Sequence, residues 1–464
     1  MLRQRTLPVL IGAVILISII IPIFVAGFSS LNQAEKAQEQ GDLAVAADTY
    51  AHAAKILFWR KDLYEQAGIS AAQAGEGSKA IEFFKRSEKI SEEGWVWYCT
   101  AYIQTDQLSF AASTCLDGTN YYDSARLYRL LAYIYQRQKD WVAERFALEN
   151  QTRLDTTDAY AAYRLGLLLT LYTPEDALPE LTRASSLNPE VDSAVQTLRA
   201  ALAVSQQQSS PSMQKVIVGQ AFGLVQDWEL ARVAFEQAVK LDEKNAEAWA
   251  WLGEAKQQLG GDGSEELNKA LSLGRNIAAV HALRGLYWSR QGRYQQVLAE
   301  YLLAAGIEPE NPRWQVGIGE AYTNLGDLVA ALDAYQHAVE IAPEQVEYWR
   351  LLAVFCAENS VRIEDIGLPA AQQAVLMNPN DPSVLDALGY VYLSTGRFAS
   401  AEETLKQAVE ISPQYFPAHI HLALTYLSQG NQAAAFNSLT YVRDAEGAGV
   451  YAEAARQLLD KYFR

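Results

Sequence analysis

Residues 319–343 read GEAYTNLGDLVAALDAYQHAVEIAP, and their pattern returns at a fixed interval of about 34 residues. Gly285 and Gly319 stand one interval apart, and Tyr301 and Tyr335, Ala304 and Ala338, and Pro309 and Pro343 keep that offset. Gly389, Leu405 and Ala408 continue it, followed one interval later by Ala423, Leu439 and Val442. Each period holds two stretches with helical spacing of apolar residues, so one repeat is a hairpin of two amphipathic helices. Such a hairpin cannot bury both apolar faces alone, and neighbours must stack on it. Small residues on those faces mark close approach of backbones. Gly319 is expected to face Ala331 within its hairpin, and Ala338 to admit the next repeat. Tyr322 and Tyr335 fill the space between, Gly326-Asp327 turns the chain, and Pro343 stops the second helix.

A period of about 34 residues built from paired helices resembles the tetratricopeptide repeat (TPR) family, over nearly all of the chain beyond residue 28. The resemblance implies an all-α solenoid of about eleven to twelve helical hairpins; it specifies a fold and not a function. The clearest hairpins lie at 246–277, 278–311, 312–345, 346–381, 382–415 and 416–447. The 246–277 unit is short after Gly260-Gly261, and the 346–381 unit is slightly long around Ser360–Gly367. In the fourth hairpin, 125–158, Glu144 stands where a small residue is expected. Residues 192–211, a helical pattern without a partner followed by SSPS, read as a joint between solenoids at 29–191 and 212–447, or as one degenerate repeat in a continuous superhelix. Residues 448–464 read as a capping helix, with Val450, Ala454, Leu458 and Tyr462 on its apolar stripe.

The start of the chain is different. Arg3 and Arg5 lie in a basic tip, 1–6, and residues 7–28 carry no charge. At about 1.5 Å per residue this stretch spans about 33 Å, enough for a bilayer core and longer than a signal-peptide core. It is expected to be one transmembrane helix, with the N-terminus cytoplasmic and the repeats outside the cytoplasm. The first repeat would then sit against the membrane surface.

Little in the sequence points to chemistry. The net charge of −17 argues against a broad nucleic-acid surface. The five histidines, His52, His281, His337, His419 and His421, form no ligand spacing, and no nucleotide-binding or nucleophile motif is present. No enzyme activity, cofactor, metal or small-molecule substrate is expected. Three cysteines occur, none in CxxC spacing. Cys99 and Cys115 fall at facing positions of one hairpin, where a disulfide closing about 16 residues would contribute roughly 3 kcal/mol; two reduced, packed thiols are the alternative. Cys356 reads as a core residue.

Protein binding remains. The TPR resemblance implies that the first helices line a concave groove. In the fourth and fifth hairpins the groove positions are Arg126, Arg129, Tyr133, Arg137, Tyr160, Tyr163 and Leu167. Arginine mixed with tyrosine suits a peptide with acidic or C-terminal carboxylate groups; a solvated helix face is the alternative. In the last hairpins the positions are Tyr390, Leu393, Ile420, Leu424 and Leu427, an apolar strip that is either a docking surface or covered by the terminal helix. The lysine, asparagine and arginine clamp of chaperone-binding TPR domains is not visible. The expected role is a membrane-anchored scaffold that binds other proteins and holds an envelope assembly in a bacterium-like cell. The alternatives are a permanent accessory subunit of a membrane complex and a regulatory chain of an envelope polysaccharide enzyme.

Overall fold

The computed structural model describes residues 3–463, with side chains described from residue 21 onward. All regular structure among the described residues is helical. Packing divides the chain into two compact units, Met1–Gln208 with Leu224–Gln226, and Ser209–Gly223 with Asp227–Arg464.

In the first unit α1 (Arg3–Glu39) pairs with α2 (Leu43–Ile56), and α3 (Asp62–Gln73) with α4 (Gly77–Phe84). Then α5 (Glu92–Gln104) pairs with α6 (Leu108–Thr119), α7 (Ala125–Gln138) with α8 (Trp141–Leu154), and α9 (Ala159–Tyr172) with α10 (Ala177–Leu187). α11 (Asp192–Gln206) follows and buries Val195, Leu198 and Leu202. The second unit opens with α12 (Pro211–Leu224) and α13 (Trp228–Leu241), then α14 (Ala246–Gln258) with α15 (Ser264–Leu273). Next come α16 (Ala278–Arg290) with α17 (Tyr294–Ile307), α18 (Pro312–Leu325) with α19 (Leu328–Ile341), and α20 (Val346–Glu358) with α21 (Leu368–Met377). α22 (Pro382–Ser394) with α23 (Phe398–Ile411), α24 (Phe416–Ser428) with α25 (Gln432–Glu446), and α26 (Val450–Tyr462) complete it.

One contact recurs inside the hairpins. A methyl group added at Gly319 would lie 2.8 Å from the Tyr335 ring, one at Gly285 3.0 Å from Tyr301, and one at Gly68 2.9 Å from Phe84. One at Gly389 would lie 2.5 Å from Leu405. In these four hairpins the partner stands at the same offset downstream, on the second helix. Gly319 therefore receives the Tyr335 ring, not Ala331 as the repeat pattern suggested: a backbone without a Cβ leaves a slot, and a large side chain fills it. Ala338 is buried with Tyr348 and Leu352 of the next hairpin, as expected for a point of close stacking.

Departures from the period are absorbed locally. In the short α14–α15 hairpin the slot of Gly253 meets Leu267, whose offset is correspondingly shorter, at 3.0 Å. In the long α20–α21 hairpin a π-turn over Ile363–Gly367 takes up the extra length, and a methyl group at Gly367 would lie 2.7 Å from Cys356. Gly326 adopts φ +82°, which a glycine reaches without strain, and Asp327 then accepts a hydrogen bond from the Ala330 amide at 3.1 Å to start α19.

Among the described residues no helix is long and apolar enough to cross a membrane, so the transmembrane helix expected over 7–28 is not found there. Residues 1 and 2 of the basic tip, the side chains of 3–6, and those of 7–20 in that span lie outside the described residues. α26 packs on α24 and α25 through Ala452, Ala455, Leu458, Leu459 and Phe463. Of the expected stripe, Leu458 packs inward and Ala454 is half-buried, whereas Val450 and Tyr462 are exposed, because Ala452 and Ala455 are the residues turned fully against the neighbouring helices.

The slot contact predicts a coupled pair. Gly389→Ala should cost about 1–3 kcal/mol through overpacking, and Leu405→Ala about 2–5 kcal/mol through a cavity. The double variant should cost less than the sum, measured by denaturant unfolding of the full chain; strict additivity would mean that the two positions do not share a contact.

Candidate partner-binding site

α7, α8 and α9 of the first unit enclose a cavity of about 230 Å³. Its floor is built by the residue that broke the repeat pattern. Glu144 occupies a small-residue position on α8 and is buried, and Arg164 of α9 reaches it with two hydrogen bonds, Nε to Oε1 at 2.7 Å and a terminal nitrogen to Oε2 at 3.1 Å. The guanidinium also lies over the Trp141 ring, 5.4 Å from its centre. This two-point geometry and the ring face satisfy the charges where water cannot. Beside them the buried Gln151 amide donates to Asp158 Oδ2 at 2.9 Å. The other oxygen of Asp158 accepts from the Ala161 amide at 3.0 Å and starts α9.

Arg129, Tyr133 and Tyr160 form the mouth of this cavity. The Arg129 guanidinium donates to Asp158 at 2.9 Å and lies 3.7 Å from Asp155. Hydrogen bonds from the side chain and amide of Thr157 hold the Asp155 carboxyl below the usual carboxylate range. Tyr133 and Tyr160 are exposed, at 45% and 63%, so two aromatic rings are available beside a polar floor. Gln136 donates to the Tyr160 hydroxyl at 3.4 Å.

The structure thus brings together three of the seven residues expected in this groove. Arg126 is exposed elsewhere on α7, and Arg137 pairs with Asp106 of the preceding hairpin at 3.1 Å. Tyr163 is half-buried, and Leu167 is buried in the core of α9. With Arg129 and Arg137 both held by carboxylates, the site is less cationic than its arginines suggest. Sequence reading missed Glu144, Gln151, Asp158 and Arg164 as site residues. The signal was there: an acidic residue in a small-residue slot, and one arginine in the apolar run AYAAYRLGLLLTLY.

The second expected site has another character. Tyr390, Leu393, Ile420, Leu424 and Leu427 are all half-buried. The Tyr390 ring stacks on His421 at 4.3 Å, and His421 Nδ1 lies 2.7 Å from Asp386. Ile420 packs into the cluster that includes Leu458, Leu459 and Phe463 of the terminal segment, while Leu393 and Leu427 pack around Leu422. Cys99 and Cys115 occupy one glycine-type slot, at the offset of the glycine pairs, both fully buried with free thiols. Of the two alternatives, the structure holds two unbridged, packed thiols; burial, then a hydrogen bond to Cys115, pushes the Cys99 thiol well up and keeps it protonated.

Residues 264–458 match the family model of the cilia and flagella-associated protein 70 C-terminal domain, a TPR domain. Human superkiller complex protein 3 is 25% identical over 240 residues, which cover 49% of this chain and 14% of that protein. Human protein O-mannosyl-transferase TMTC1 is 24% identical over 177 residues, 37% of this chain and 20% of that one. The chain therefore spans only a small part of the length of these relatives. Among solved structures, the Cut9–Hcn1 hetero-tetramer of APC/C aligns with a TM-score of 0.40 at 14% identity, over 93% of this chain and 95% of that one. Yeast Tom70 aligns with a TM-score of 0.41 at 13% identity, over 94% and 96%. The chain is a TPR-like, all-helical repeat protein.

The buried pair gives a stability test. Glu144→Leu or Arg164→Leu alone should cost about 3–5 kcal/mol, since each strands an uncompensated charge. Glu144→Leu with Arg164→Met should recover most of that loss in thermal or denaturant unfolding.

Proposed function

We propose that this chain is a membrane-anchored TPR-type scaffold that holds a segment of a protein partner at the cavity between α7, α8 and α9. The observation that carries the reading is the pairing of two exposed tyrosines, Tyr133 and Tyr160, with a buried, hydrogen-bonded floor. Interfaces concentrate their binding energy in a few aromatic and arginine anchors that meet a desolvated pocket. At about 230 Å³ the cavity is smaller than the roughly 300–1,000 Å³ of small-molecule sites. It suits one anchoring side chain of a peptide, its backbone running across the tyrosine rings. Because Arg129 is already paired, the anchor is a hydrogen-bonding or aromatic side chain.

The anchor is the charge-free stretch 7–28, preceded by Arg3 and Arg5. By the positive-inside rule the N-terminus is cytoplasmic and the repeats are extracytoplasmic, where they serve an envelope assembly of a bacterium-like cell.

Both parts are testable. A photoreactive phenylalanine at position 133 or 160 of the full chain should cross-link one defined protein in intact cells. The same probe at Val142, exposed on α8, should not; equal yields at all three sites would overturn the cavity as the binding site. A reporter fused after Arg464 should be active outside the cytoplasm, and activity only inside would overturn the topology.

A further inference from the structure

α1 and α2 meet closely at one point. Gly27 is buried, and a methyl group there would lie 2.6 Å from the Leu57 side chain and 3.0 Å from Ile56. This contact fixes the chain leaving α2, and the next two residues, Phe58 and Trp59, are held out into the surroundings, 69% and 44% exposed. Trp59 stacks on Phe24 of α1 at 4.8 Å, and Phe58 meets Trp59 edge-on at 5.2 Å. Ile21, Val25 and Phe28 on α1 are exposed as well. A continuous apolar patch therefore joins two elements distant in sequence.

Such a patch on a well-packed hairpin marks a surface that is covered in the working protein. Three features identify the cover as a lipid bilayer. The patch continues the apolar stretch 7–28 and ends where that stretch ends, at Phe28 followed by Ser29 and Ser30. Trp59 sits beside Phe24, about one helical turn, roughly 6 Å, inside that boundary. Tryptophan with one apolar face and one N–H prefers this depth, between acyl chains and headgroups. The flanks carry two unpaired lysines: Lys55 in the last turn of α2, and Lys61 two residues after Trp59. Arg60 between them is paired with Asp62 at 2.7 Å and adds little net charge, while Lys61 lies over the Tyr64 ring at 5.9 Å and stays close to the patch edge. Lys55 is free to meet anionic headgroups.

We infer that the Phe58-Trp59 turn is a second membrane contact, which dips into the outer interface of the bilayer and sets the angle at which the repeats leave it. The inference rests on the reading of 7–28 as a membrane anchor and adds that the first hairpin, through the Gly27–Leu57 contact, is rigidly seated rather than hung on a flexible tether.

The test uses the full chain in vesicles containing anionic lipid. An environment-sensitive fluorophore is attached at Phe58→Cys, at Ser18→Cys in the middle of 7–28, or at Val142→Cys as the aqueous reference; Cys99, Cys115 and Cys356 are fully buried and protected from labelling. Lipids carrying a nitroxide near the headgroup should quench the label at 58, lipids carrying it deep in the acyl chain should quench the label at 18, and neither should quench that at 142. Quenching at 18 with a water-exposed, unquenched label at 58 keeps the anchor and overturns the inference. A blue-shifted label at 58 that no lipid quenches also overturns it, because a protein then covers the patch. Absence of quenching at both 18 and 58 removes the anchor itself.

Discussion

The structure depends on one steric exchange: a residue with little or no side chain on the first helix of a hairpin, and a large one at a fixed offset on the second that fills the space. Gly68 with Phe84, Gly285 with Tyr301, Gly319 with Tyr335 and Gly389 with Leu405 are instances of the same fit. It sets how closely the two helices lie, and so where the next hairpin must stack. Because it is made within about half a repeat, it forms locally and needs no distant contact. Each hairpin is thereby a preformed block, and stability accumulates block by block through nearest-neighbour faces. Changes of length are absorbed at the turn: in α14–α15 the slot contact re-forms between Gly253 and Leu267, and in α20–α21 the π-turn over Ile363–Gly367 takes up the extra length and brings Gly367 against Cys356.

The first unit is specialised where that exchange is altered. In α7–α8 a carboxylate occupies a position that is alanine elsewhere, such as Ala331 or Ala401, both fully buried. A charge cannot be buried alone, so Arg164 of the next hairpin is committed to Glu144, and Gln151 and Asp158 complete the network. The cost of burial is met by hydrogen bonds instead of packing, and the result is a polar floor in a protein otherwise built from apolar faces. The α5–α6 hairpin alters the exchange differently, with two cysteines in place of a glycine and a large residue; the surrounding volume is supplied by stacked rings, among them Tyr98 with Tyr102 at 5.3 Å and Phe84 with Tyr98 at 4.9 Å.

These two departures separate the structural from the functional reading of a repeat. Residues that obey the period explain the fold and say nothing about a partner. Residues that violate it at a buried position need a specific compensation, and the compensating groups lie together in space. Glu144 is such a violation, and Tyr133 and Tyr160 stand over it.

The period, the helix pairs, the turns at Gly326-Asp327 and its equivalents, and the absence of strand patterning were legible in the sequence, because each rests on spacing within one repeat. Of the seven positions named by the repeat register, Arg129, Tyr133 and Tyr160 line the cavity, whereas Arg126, Arg137, Tyr163 and Leu167 do not. The slot partner of Gly319 was misassigned to Ala331, since spacing tells which face a residue is on but not which opposing side chain reaches it. Tertiary structure alone decided that Glu144 meets Arg164, that Asp158 gathers Arg129 and Gln151, that Ala452 and Ala455 turn inward on α26, and that Trp59 stacks on Phe24. All four are settled by how one hairpin or helix lies on the next, a geometry that a periodic pattern constrains only to within the length of a side chain.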